Sequence, residues 1–193
     1  AGLLLCNALH AQGVTQIYDV SNNTSDPSNK LLTIVGTPNS LGPVERSELD
    51  ASGSIASINT LLNQRHSGNM VTLKSGMVAG HVLGAAPSVA NTAARGNTVA
   101  VEGGAVQDSV FGAFNQGRGA GATAEDNSVT ISGDTQVAGY VYGGFSTFGA
   151  ASNNTVITGG SVDSVTGGFS TFGEANGNGV SIRGGTVGHD VYG

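Results

Sequence analysis

From Asn69 onward, apolar and small polar residues alternate in short bursts that return at a regular distance along the chain. The bursts are Met70-Val71-Thr72-Leu73, Thr98-Val99-Ala100-Val101, Ser128-Val129-Thr130-Ile131, Thr155-Val156-Ile157-Thr158 and Gly179-Val180-Ser181-Ile182. A period of two predicts strands with one buried face, so Val71/Leu73, Val99/Val101, Val129/Ile131 and Val180/Ile182 are expected to point inward. In the fourth copy either Val156 or Ile157 could keep register, and a local irregularity is expected there. After a glycine turn each copy offers a second strand, Val78 to Val82, Val106 to Val110, Val137 to Val141, Val162 to Val165 and Val187 to Val191. Between the closing valines the steps are 28, 31, 24 and 26 residues. Repeats of this length mark a stacked array in which no single unit buries its own apolar face.

The phrase then turns on glycine. Phe145-Ser146-Thr147-Phe148-Gly149 returns as Phe169-Ser170-Thr171-Phe172-Gly173. Phe114, Phe145 and Phe169 fall in one column and Phe148 and Phe172 in another. At strand spacing they would form aromatic ladders, expected to fill the core at the corner of each coil; the alternative is an exposed strip that grips sugar rings. Asn69, Asn97, Asn127, Asn154 and Asn178 open the five copies, and stacked asparagines form amide ladders. Lys74, Glu102, Ser132, Thr158 and Arg183 form a column expected to face outward, with an ion pair between Lys74 and Glu102. The longest insertion, 115–126, is expected to be either a tolerated surface loop or a binding loop carried by Asn115, Gln116 and Arg118.

The first third matches none of this. The reading divides the chain into a non-repeat cap or irregular first coils, 1–66, and solenoid repeats, 67–193. Val14–Val20 and Leu31–Val35 read as strands, and 21–29 and 36–43 as turn-rich loops. Residues 47–63 fit a short helix capped by Asp50 or a loose rung equally well. Ala1–Ala11 reads as an ordered apolar end-cover or first strand, or else a targeting remnant, although it lacks a basic leader. No stretch reaches the ~18 apolar residues of a membrane span.

Composition narrows the class. Glycine is 32 of 193 residues and charged residues are 10%, against averages of about 7% and about 25%. A net charge of −6, with Lys30 and Lys74 the only lysines, argues against nucleic-acid and anionic-membrane partners. Cys6, the only cysteine, cannot form an internal disulfide. His10, His66, His81 and His189 show no metal-ligand spacing, and no cofactor is expected. Asp108, Asp163 and Asp190 precede the second strand at similar places, where a calcium site or a carboxylate pair would sit, but aspartate is also an ordinary turn residue. No nucleophile elbow or phosphate loop appears, and a non-enzyme is expected.

The phrase carried by 127–149, 153–173 and 178–193, with weaker copies at 97–114 and 69–84, resembles repeats in passenger regions of bacterial autotransporter (type V secreted) proteins. The resemblance covers about the last two-thirds. The repeats and the resemblance together predict an all-β, parallel β-solenoid, a right-handed β-helix of about five coils with an atypical N-terminal cap. The resemblance also implies an extracellular or cell-surface location on a Gram-negative bacterium, with a C-terminal translocator barrel elsewhere in the full-length protein. The expected function is a rigid adhesive or structural scaffold whose partner is a host or bacterial surface protein or glycan. The alternatives are a self-associating filament subunit and a polysaccharide-active β-helix enzyme using the Asp column with Arg118 or Arg183. Adhesive passengers share a scaffold rather than a site, so no functional residue is carried over.

Overall fold

The computed structural model describes residues 15–20, 31–35, 43–44, 55–56, 66–78 and 80–193. The chain winds as an all-β parallel solenoid of about four turns. Three faces repeat. The first carries Thr98–Val101, Ser128–Ile131, Thr155–Thr158 and Gly179–Ile182, stacked in order below the start of Met70–Val78. The second begins where Met70–Val78 ends and runs through Gln136–Ser146 and Ser161–Ser170 to Val191–Tyr192. The third is a ladder of two-residue strands, Ala94–Arg95, Ala124–Glu125, Ala151–Ser152 and Ala175–Asn176. No helix occurs among the described residues.

Alternation decides what lies inside. Val71, Val99, Val129 and Val156 are fully buried in one column of the first face; Val78, Val106, Val137 and Val162 line the next, and Val82, Val110, Val141 and Val165 a third. Each buried valine contributes about 1.5–3 kcal/mol, so the interior supplies most of the cohesion. Beside it runs a polar seam. The Asn97 Oδ1 accepts from Asn69 Nδ2 at 3.0 Å, Asn127 Oδ1 from Asn97 at 2.8 Å, Asn154 Oδ1 from Asn127 at 2.9 Å and Asn178 Oδ1 from Asn154 at 3.1 Å. Each acceptor oxygen also takes the backbone N–H of the asparagine above. A buried amide so placed satisfies groups that would otherwise cost about 1–3 kcal/mol each.

The first face corrects one expectation. Thr158 is not in the outward column: it pairs with Ile131 and Ile182 and is fully buried, with no partner for its hydroxyl among the described residues. Val156 keeps register without a break, and Gly159 takes the outward place by donating its N–H to the carbonyl of Ile131. The missing residue of the fourth copy falls in this glycine turn. Among the repeats the register shifts instead between Val137 and Tyr140 on the second face. Lys74 and Glu102 stand 3.9 Å apart, both exposed.

At the N-terminal side Thr15–Val20 pairs in parallel with Met70–Gly76 and antiparallel with Leu31–Val35, which pairs in turn with Pro43–Val44. Ile55–Ala56 is extended and pairs with Val82–Leu83, a rung rather than a helix at that point. The remainder of 47–63, the segment Ala1–Ala11, Cys6 and the loops 21–29 and 36–42 lie outside the described residues.

Candidate functional site

Because Val110, Val141 and Val165 point inward, their successors Phe111, Tyr142 and Thr166 must stand on the outer side of the second face. A glycine corner follows, and two residues on, Phe114, Phe145 and Phe169 also face outward. The expectation that these rings fill the core holds only in part: they stay outside the valine interior, and Phe114 and Phe145 pack against a second buried cluster of Leu83 and Phe111. Phe114 and Phe145 are half-buried, Phe169 is 44% exposed, and Phe148 and Phe172 are exposed. A coil already filled by four columns of Val, Leu and Ile has no interior volume for them.

The rings form ladders nonetheless. Phe111 and Tyr142 lie 5.2 Å apart with planes 8° from parallel; Phe145–Phe169 and Phe148–Phe172 stack at 5.4 and 5.3 Å. Phe114 meets Phe145 at 5.2 Å, tilted by 53°. The rings also meet edge-on, Phe111 with Phe145 at 87° and Tyr142 with Phe145 at 79°, and Phe111 is buried among them. Such a ladder adds ring contacts between successive coils. Burial, with Tyr140 alongside, pushes the Tyr142 phenol above its ordinary value.

The repeated corner is held by its serine. Ser146 Oγ donates to the carbonyl of Ala122 at 2.7 Å and accepts from the N–H of Gly149; Ser170 does the same with Gly149 and Gly173. Asn115 occupies that inward column one coil earlier. It is fully buried, donates to the carbonyls of Thr92 and Thr123 at 2.8 Å each, and accepts from Gly117 N–H. Asn115 therefore fastens its own loop and is not free to meet a ligand. Gln116 and Arg118 are exposed, but their backbone is stitched to the loop above, Gln116 N–H to Pro87 and the Arg118 carbonyl to Asn91 N–H. Asn97, Asn127, Asn154 and Asn178 belong to the internal seam.

The Asp column does not assemble. Asp108 faces His81 at 3.4 Å and Asp163 faces His189 at 2.6 Å, with Ala138 and Gly139 of the intervening coil between them. Asp190 bonds through its backbone to Ser164 and Val165. The serine hydroxyls beside the two carboxylates, Ser109 and Ser164, donate to the carboxylate and not to an imidazole, so neither is activated as a nucleophile. Among the described residues no group of three His, Cys, Asp or Glu could hold a metal ion.

What remains is a groove that sequence reasoning missed. It opens along the second face beside these pairs, about 510 Å³ in volume, and every coil contributes to it. Met77, Ala105, Gln136, Ser161 and Thr186 form one outward column down its length. The signal was present in that column, which alternates with the valine column Val78, Val106, Val137, Val162 and Val187. No family model matches the chain, and neither a curated protein nor a solved structure matches it. The β-solenoid is compatible with a passenger β-helix.

Proposed function

We propose that this chain is a rigid adhesive scaffold exposed outside a Gram-negative cell, a piece of an autotransporter passenger region whose translocator barrel lies elsewhere in the longer protein. The observation that carries this reading is the parallel pairing of coil on coil on all three faces, with the amide seam inside. A rod stiffened in this way holds its lateral surface in fixed register over its whole length, which suits repeated weak contacts along one partner. The scarcity of charge and the small polar residues of the outer columns support an extracellular surface, and the resemblance of the repeats supports the export route. The separated Asp–His pairs and the carboxylate-bound serines support binding rather than catalysis. Its partner is a surface protein or glycan of a host cell or of a neighbouring bacterium. Beads coated with the purified chain, washed over epithelial monolayers and over bacterial lawns, test this. Retention well above that of beads coated with an unrelated β-solenoid is expected, and equal retention on both surfaces would overturn it.

A further inference from the structure

Stacking of the coils explains the valines, the asparagines and the rings, but not the groove on the second face. We propose that this groove binds an extended, uncharged glycan lying along the solenoid axis; the inference rests on the adhesive reading above and names its ligand class.

Shape comes first. The column Met77, Ala105, Gln136, Ser161 and Thr186 gives one residue per coil, and four strand spacings of ~4.8 Å make a corridor roughly 19 Å long. Ala138 and Gly188 keep the parallel row low, so the corridor stays open. A linear polymer fits such a trough better than a compact ligand.

The lining selects the chemistry. Gln136 makes no hydrogen bond with its side chain among the described residues, and the amide of Gln107 meets only the sulfur of Met77 at 3.0 Å. Ser161 and Thr186 bond each other at 3.2 Å and retain further donor and acceptor capacity. Between these polar groups lie methyl and thioether surfaces. Sugar rings present hydroxyls at their rims and C–H groups on their faces, the pairing this lining offers. Among the described residues no lysine or arginine lines the groove, and the one charged residue there, Asp163, is engaged by His189. An anionic polymer would meet that carboxylate with no lysine or arginine among the described lining residues to hold it.

A peptide fits less well. Backbone N–H and C=O groups of the second face are spent between coils, so no edge is free for strand addition along the groove. A peptide laid across the strands would leave most of its own amides to a few side chains.

The test is calorimetric titration of the full chain with neutral hexasaccharides of β-1,4-linked glucose, mannose and N-acetylglucosamine, and with galacturonate hexasaccharide as the anionic comparison. Saturable binding of at least one neutral probe and none of galacturonate is expected. Ala138→Arg, at an exposed position, should weaken binding at least about tenfold with an unchanged melting temperature, and Gln136→Ala by about threefold. Absence of neutral binding, binding of galacturonate alone, or wild-type affinity in both variants would overturn the proposal. So would saturable binding of an extended peptide that Ala138→Arg abolishes while the sugars stay inert. Adhesion of Ala138→Arg beads equal to wild type would remove the groove and leave the scaffold reading standing. Hexasaccharide binding by a chain that retains no cells would remove the adhesive reading alone.

Discussion

The first two coils and the next two share the same interior and part company at the third corner. Between Ala85 and Asn97 lie residues 86–96, and between Ala113 and Asn127 residues 114–126; Gly144 and Asn154 are separated only by 145–153. In the longer corners Ala85 and Ala113 pack fully buried against Ala94 and Ala124, and the two loops bond to each other. In the shorter corners the amide of the asparagine seam lies against backbone. A Cβ on Gly144 would stand 2.5 Å from Asn154 Oδ1, and one on Gly168 would collide with Asn178. The phrase Gly-Gly-Phe-Ser-Thr-Phe-Gly is thus a tight corner held by its serine, and the unmatched loops are a wider solution to the same closure. Sequence varies at the corner because the seam and the valine columns tolerate either.

This difference can be broken by exchange. Gly144→Ala should cost about 3 kcal/mol or more, because the methyl meets three atoms of a fixed buried amide, whereas Ala113→Gly in the wider corner should cost about 1 kcal/mol. Urea denaturation of the two variants measures the contrast, and equal losses would show that the corners are equivalent. Thr158→Val sharpens the comparison from the other side. It replaces an unpartnered buried hydroxyl with a methyl in the column of Ile131 and Ile182, and should stabilise by about 1–2 kcal/mol in the same assay.

A smaller effect is expected above the first coil. His66 is 7% exposed, its Nδ1 has no partner among the described residues, and its carbonyl accepts from Asn97 Nδ2 at 2.9 Å. Burial lowers its pKa below the ordinary value near 6.5. The unfolded chain therefore binds this proton more readily, and stability falls as pH drops from about 6.5 toward the folded value, then stays level. Above about 6.5 the residue contributes no slope. Midpoints measured from pH 7.5 to 4.5 for the wild type and His66→Gln should differ in slope only in that window.

The scaffold was legible where one chemical rule acted alone. Strict alternation marked the inward valines, and one asparagine at the head of every phrase marked the seam. Reading failed where the chain turns. A period-two count cannot be carried through a glycine corner, so the direction of Phe114, Phe145 and Phe169 was inverted. Thr158 was misplaced because a residue lost in the Gly159-Gly160 turn looks, in sequence, like one lost from the strand. The groove was invisible because it is a property of neighbours on successive coils: Ala105, Gln136 and Ser161 are unremarkable singly and make a trough only when stacked.

The central claim is that, beside the valine interior, the internal amide seam contributes more to holding coil on coil than the aromatic ladders outside. Asn127 accepts from both the backbone and side chain of Asn97 and donates to Ala94 and Asn154. Phe172 is 72% exposed and touches the stack through Phe148. Urea unfolding of Asn127→Ala beside Phe172→Ala tests the claim most directly. A loss of about 3–5 kcal/mol for the first and under about 1 kcal/mol for the second is predicted. A loss for Phe172→Ala equal to or larger than that for Asn127→Ala would contradict it.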